Sequence, residues 1–452
     1  MTALPAFQPA YDFSDDSQPA VLSTGAVEIV FSDGQRCQGT GDWVLMLNPR
    51  PRSLLRITLP DAAIASGILE FRDDDDLKVF YRGKEIKGSL KKRLFWPQEF
   101  SDLFWVPESL PHEEGEMDDV CTTHVISHVF NFPDFSGECR GRKVAPPGHK
   151  TLLLECEEWR IALQSLAGDA TVVGWDRARK EERCSLTHVL KLERIDGKPF
   201  SGEAASGHLW LLSWFLSYAL GRDCSVVCHV GFGHDGKTVW RSFRGPEAPS
   251  ARQSWFDERH GDMLEELFPL FARHWRGSDE AAMALRRAIH WYTQANTNGE
   301  KPSIYTGIVV SQAALELLAS QYRVKYGEFI DETSCKESRV SRKIRLMLKN
   351  FSISLDFNNL ALELFLRSGN GKQKWEDQLH AIVDVRNSLV HAKMKDDFTD
   401  CLADVWRVGL HYTELAILAL CGYQGKYQDR LRAAHNQTQP RRVPWSNAQG
   451  EI

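Results

Sequence analysis

Short runs of alternating apolar and polar residues dominate the first half of the chain, and longer runs at helical spacing dominate the second. Residues 26–31 alternate and end at Ser32-Asp33-Gly34, a turn signal that predicts a hairpin. Residues 43–47, 54–59 and 78–81 read as further strands, with the acidic stretch 73–76 as a turn before the last. Residues 122–130, 151–155, 159–163 and 187–192 have the same texture. A β-rich region, sandwich-like in character, is therefore expected from residue 21.

Near residue 200 the period changes from two to about 3.6. Ser201 is placed to cap a helix over 203–220, and Gly221 to stop it. A short β element at 225–230 and another at 239–240 follow, closing a β-rich region at 21–243. Residues 244–254, with Pro, Gly, Ser and Arg, read as a linker. Helices are expected over 257–275 (with Pro269 inside), 279–296 (capped by Ser278), 305–326, 338–351, 374–389 and 398–420. Trp375, Leu379 and Ile382 give the fifth an apolar stripe. The predicted class is α+β: a β-rich N-terminal region, then an all-α domain over 257–425 whose bundle occupies 279–425. Residues 1–20 are expected as a disordered leader and 426–452 as a basic tail.

Charge narrows the function classes. The 452 residues carry 55 Lys+Arg against 61 Asp+Glu, a net charge of -6, which excludes a nucleic-acid coat protein held by charge alone. Ten scattered cysteines and a Met1–Ala10 stretch with no lysine or arginine predict a cytoplasmic protein with free thiols. The apolar stretch 209–220 is too short to cross a bilayer, which takes about 20 residues, so no membrane contact is expected.

Arg386, Asn387 and His391 are the candidate chemistry. A histidine can take the proton of an RNA 2′-hydroxyl or protonate the leaving oxygen, and a guanidinium can hold the phosphate. On a straight helix, residues five apart lie roughly 140° apart, so the pair must converge across a helix end or across a two-fold axis. The same spacing recurs at Arg183/His188 and Arg430/His435, one beside a predicted strand and one in the polar tail. The context of a helical bundle favours Arg386. In the bland alternative, Arg386 pairs with Asp384 or Asp377 and His391 interacts with the helix dipole.

A second candidate is the basic helix with Lys336, Arg339, Arg342, Lys343, Arg345 and Lys349. Val340, Ile344, Leu348 and Phe351 form its buried stripe, which leaves the cations outward as an RNA-tracking surface or an ordinary solvated face. Lys393 and Lys395 flank the motif and extend that surface. Cys121, His124, His128 and Cys139 have ligand types for zinc, but the histidines alternate on a strand, and no metal is expected. Phe95, Trp96, Phe104 and Trp105 are a candidate stacking platform, and Trp210 and Trp214, one turn apart, are expected in the core. There is no Walker A loop, GxSxG, HExxH, or GxGxxG followed by a helix, so no cofactor is expected.

The run Arg386-Asn387-Ser388-Leu389-Val390-His391, late in an all-α domain, resembles the Rx4–6H motif of the HEPN superfamily. The bundle before it fits that pattern, as do Val310-Ser-Gln-Ala-Ala-Leu-Glu-Leu-Leu and Leu420-Cys-Gly-Tyr-Gln-Gly-Lys-Tyr. A β-rich region ahead of such a domain resembles the layout of ApeA-type anti-phage proteins. The resemblance implies Arg386 and His391 as a catalytic pair with Asn387 orienting it. It further implies a homodimer through the helical domain and metal-free RNA cleavage, of tRNA in some members, leaving 2′,3′-cyclic phosphates. A phage-derived trigger and regulation by the N-terminal region belong to the same implication. The competing reading is a non-catalytic dimerisation and RNA- or nucleotide-binding protein.

Overall fold

The computed structural model describes residues 6–15, 17–32, 34–60, 77–91, 102–108, 113–115, 117–135, 149–181, 183–247, 252–297, 303–326, 339–369, 374–391 and 397–449. The class is α+β, with two seven-stranded antiparallel sheets ahead of a helical region.

The first sheet holds β1 (Ala20–Val30), β2 (Arg36–Met46), β3 (Arg52–Thr58), β4 (Lys78–Tyr81), β5 (Lys84–Ile86), β6 (Gly88–Lys91) and β7 (Asp102–Pro107). Their order is β5-β4-β1-β2-β3-β7-β6. β1 pairs with β2 with Ala26 opposite Thr40, and just beyond β1 the Phe31 amide donates to Gln35 O at 2.9 Å. The second sheet holds β8 (Glu113–Gly115), β9 (His124–Phe130), β10 (Thr151–Cys156), β11 (Trp159–Ser165), β12 (Leu186–Arg194), β13 (Val226–Phe232) and β14 (Thr238–Ser242). Its order is β10-β11-β12-β9-β13-β14-β8.

The sheets face each other through one apolar cluster. Trp43, Leu55 and Trp105 of the first meet Phe130, Leu186 and Val227 of the second, and Trp43 stacks on Phe243 at 5.4 Å. The other face of the second sheet packs on helices, with Val125, Val129, Leu190 and Leu192 sharing a core with Leu212, Phe215 and Phe268. β9 is therefore buried on both sides, its polar Ser127 and His128 included.

The helices are α1 (Ala170–Glu181), α2 (Gly202–Leu220), α3 (Asp262–Arg276), α4 (Asp279–Thr297), α5 (Ile304–Tyr326), α6 (Arg339–Asn350), α7 (Leu362–Gly369), α8 (Gln378–Val390), α9 (Leu402–Leu420) and α10 (Arg430–Ala433). Ser201 caps α2 by accepting a hydrogen bond from the Ala204 amide at 3.2 Å, and Gly221 ends it at φ 64. Among the described residues no helix is long and apolar enough to cross a membrane.

Several sequence expectations change in three dimensions. The described part of the expected disordered leader is packed: Tyr11 and Phe13 lie against the sheet-on-sheet core, and the Ala10 amide donates to His128 Nε2 at 3.0 Å. The expected basic tail is integral to the fold. β15 (Lys426–Tyr427) pairs with β16 (Arg441–Arg442), and Tyr427, Leu431 and Val443 are buried in the main core. Trp210 is 43% exposed, with its ring edge-on to Trp214 and Trp275 and Arg286 over its face. Helix α1 has weak periodicity and a central glycine, so the alternation rule passes over it.

Two buried histidines give the fold an acid sensitivity. His128 has both nitrogens occupied, accepting from Ala10 and donating Nδ1–H to Cys228 O at 2.9 Å, and His188 sits between Phe132 and Phe135 with neither nitrogen bonded. Burial pulls His128 down to about 4 and His188 to about 3. The unfolded chain takes up these protons as pH falls through about 6.5, while the folded chain excludes them. Stability is thus complete above that pH and lost toward pH 4, at about 1.4 kcal/mol per pH unit for each histidine. Chemical denaturation at a series of pH values from neutral downwards is expected to show this slope, and His188→Leu to remove one proton's share of it. An unchanged slope in that variant would move the effect to other groups.

Candidate functional site

Helix α8 carries the motif, and its ends are fixed by side chains. Asp377 is its N-cap, accepting from the His380 amide at 2.9 Å, and Arg345 of α6 forms an ion pair with the same carboxylate. Trp375 Nε1 donates to Asp384 Oδ2 at 2.9 Å, pinning the approach segment onto the second turn. The Tyr412 hydroxyl of α9 meets Gln378 Oε1 at 3.0 Å. Leu379, Ala381, Ile382 and Val385 are buried, so the opposite face of the helix is left half-open.

The motif lies at the C-terminal end of that face. Arg386 and Asn387 are half-buried on the last turn, and His391 is exposed. Helix geometry stops at Val390, and His391 has extended angles, φ -103 and ψ 130. The pair is therefore not held at the angular separation of a continuous helix. Asn387 touches both flanks: its Oδ1 accepts from an Arg386 guanidinium nitrogen at 3.2 Å, and its carbonyl accepts from the His391 amide at 3.0 Å. Arg386 Nε is buried without a hydrogen-bond partner. No hydrogen bond joins the His391 imidazole to Arg386 or Asn387 among the described residues.

The two carboxylates that could have reduced Arg386 to a structural residue are occupied elsewhere, Asp377 by Arg345 and Asp384 by Trp375. The other two Arg-x4-His pairs have structural surroundings. His188 is in the core, and Arg430 is 1% exposed and bonded to Glu414, while His435 Nε2 meets Leu360 O at 3.0 Å.

The basic surface is narrower than its sequence suggests. Ile344, Met347 and Leu348 form the buried stripe of α6, and Lys349 is exposed. Arg345 turns inward to Asp377, which corrects its placement among the outward cations. Arg342 and Lys343 are half-buried on α6. Arg339 opens the helix, and its side chain, like Lys336, Lys393 and Lys395, lies outside the described residues. On the return from the motif, Arg367 stands over the Phe398 ring and donates to the Asp397 carbonyl.

The remaining candidates resolve into packing. Phe104 is buried, Trp105 is buried with its indole N–H on Ile86 O at 3.0 Å, and Phe95 and Trp96 lie outside the described residues. His128 has no lone pair left for a metal, and Cys139 lies outside the described residues. Among the described residues no group of three or more His, Cys, Asp or Glu is arranged to hold a metal ion.

Two polar centres escaped the sequence reading. One is the buried cluster of Arg430, Glu414, Tyr292 and Asn296, in which Arg430 meets Glu414 Oε1 at 2.5 Å and Asn296 Oδ1 at 3.1 Å. Tyr292 donates to the same Glu414 oxygen at 2.6 Å. A lone glutamate inside the otherwise apolar end of α9 was the available signal. The other is a cavity between α1, the end of α2 and the C-terminal segment, lined by Arg222, Arg252 and Gln428 among others.

Comparison with known proteins matches two segments of the chain. Residues 117–254 match a model described as the YopA central domain, and residues 278–440 one described as the YopA C-terminal domain. A curated relative is the SPbeta prophage-derived uncharacterized protein YopA of Bacillus subtilis (strain 168), 28% identical over 298 residues. The alignment covers 65% of this chain and 65% of the relative's length. No solved structure matches. The motif residues fall in the second matched segment, α2 and the strands β9 to β14 fall in the first, and the chain is thus similar over these two segments to the central and C-terminal domains of YopA.

Proposed function

We propose that this protein is a metal-independent endoribonuclease of HEPN type, in which His391 serves as acid and base, Arg386 holds the phosphate and Asn387 orients them. The observation that carries this reading is the end of α8. Asn387 binds the Arg386 guanidinium through its side chain and the His391 amide through its backbone, while Arg386 Nε has no partner and the imidazole stands exposed. An arginine with spare donors five residues before an exposed imidazole is suited to a phosphodiester, and among the described residues no carboxylate forms an ion pair with it. A relative named as prophage-derived supports a role in the conflict between bacteria and phage, as a toxin or defence protein. Regulation is assigned to the β-rich region.

The reading requires two motifs in one cleft, hence a homodimer. Helix α7 offers a face for it: Leu362, Phe365 and Leu366 are each exposed by 44–45%, at positions that share one side of the helix. The double variant Phe365→Glu/Leu366→Glu is expected to convert the dimer to a monomer by sedimentation and to lower cleavage with it. A wild-type protein that sediments as a monomer at all concentrations, yet cleaves, would remove the two-motif cleft.

The direct test incubates purified protein with total RNA in EDTA and reads the product ends. Discrete fragments with 2′,3′-cyclic phosphates are expected. RNA binding without cleavage in every condition, including extracts of phage-infected cells, would favour the non-catalytic binding protein.

A further inference from the structure

A cavity of about 350 Å³, with no α8 residue in its lining, lies between α1, the end of α2 and the C-terminal segment. Its walls come from both matched segments: Trp175 on α1, Arg222 after α2 and Arg252 from the first, Gln428 after β15 from the second, with Phe256 from the connection between them. The volume is within the range of small-molecule sites, about 300–1,000 Å³.

Two buried donor side chains line the cavity. Arg222 is 4% exposed, yet its guanidinium donates only to the carbonyls of Asp223 and Asn131 and lies over the Trp175 ring at 5.7 Å. Among the described residues no carboxylate is within ion-pair distance of it. Burial works most strongly against its protonated form; the Asp223 carboxylate favours that form and the nearby Arg252 opposes it. Gln428 is 6% exposed and its Nε2 has no hydrogen-bond partner. Of the carboxylates in the wall, Asp257 is bound by Arg259 at 2.9 and 2.7 Å, and Glu258 is exposed. A buried arginine without a counter-charge is costly unless an anion completes it. An amide donor without an acceptor asks for an oxygen.

We propose that this cavity binds a phosphate-bearing small molecule of mononucleotide size, its phosphate received by Arg222, Arg252 and Gln428 Nε2 and its planar ring by Trp175 and Phe256. Guanidinium forks match phosphate oxygens in pairs, and the aromatic walls supply a face for a base. The ligand would touch both matched segments at once, so occupancy would hold them together. The inference does not rest on the nuclease reading.

The test is calorimetry and thermal melting of the full chain with AMP, GMP, CMP and UMP, each beside its nucleoside. At least one monophosphate is expected to bind at least about tenfold tighter than its nucleoside and to raise the melting temperature. Arg252→Gln and Gln428→Leu are each expected to weaken it by about tenfold or more while the unliganded circular dichroism is unchanged. Gln428→Leu removes only a group whose amide nitrogen has no partner, which keeps the test readable should Arg252→Gln fail to fold. Absence of binding by all four at about 1 mM, nucleosides binding as tightly as monophosphates, or affinity unchanged in Gln428→Leu would overturn the proposal.

Discussion

Replacing His391 with alanine is expected to lower RNA cleavage by about 10²–10⁴-fold, the share that a positioned general acid or base contributes. The fold should be indifferent to the change. The imidazole is exposed, and the backbone bond of the residue, its amide on Asn387 O, survives in alanine. Melting temperature should therefore match wild type, which separates lost chemistry from lost structure. Arg386→Lys refines the test. Lysine keeps a positive charge but not the planar fork that holds a phosphate with two bonds. Cleavage reduced in Arg386→Lys, with RNA binding retained, is the outcome expected of a phosphate clamp. Asn387→Ala is expected to be milder, since the backbone bond to His391 remains and only the anchor of Arg386 is lost. Full activity in both His391→Ala and Arg386→Ala would remove the site from α8.

The largest structural effect is expected at Arg430. Its guanidinium is fully enclosed with Glu414, Tyr292, Asn296 and the Gln253 carbonyl, tying the segment after β15 to α4, α9 and the connection before α3. Arg430→Leu leaves the Glu414 carboxylate buried without its counter-charge, with the Tyr292 hydroxyl still donating to it. Breaking a buried pair from one side costs about 3–5 kcal/mol. That is a large fraction of the stability of an ordinary domain, about 5–15 kcal/mol. Urea denaturation is expected to show the loss. The double variant Arg430→Leu/Glu414→Leu is expected to recover much of it, because two apolar groups leave no charge to solvate. A single variant as stable as wild type would mean that Glu414 is protonated or hydrated in the fold and that the segment is held by apolar contacts alone.

The boundary between strand and helix was legible because it is a local property. Alternation over β1, β3 and β11 and the 3.6 spacing over α2 and α5 each depend on which face of one element meets the core. The cap Ser201 and the stop Gly221 work within a single turn, so their residue types declare them. The motif was legible in the same way, as a few adjacent residues late in a helix.

Pairings between distant segments were not legible. Arg345 looks like any of the cations around it, and only the approach of α8 to α6 gives it Asp377. Arg430 sits in a stretch rich in polar residues, and its burial is decided by Glu414 sixteen residues earlier, on another helix. Trp210 is apolar by type, but one exposed side of α2 outweighs type. Tyr11 and Phe13 fail the composition test for ordered chain because the surface that receives them is built by β9 and β13. The sequence by itself determined the α+β division, the main helices and the place of Arg386, Asn387 and His391 at the end of one of them. Tertiary structure alone decided which charges are buried, which aromatics are exposed, and that Arg222 and Gln428 face one cavity, because burial and charge pairing depend on what packs against a residue rather than on what adjoins it in the chain.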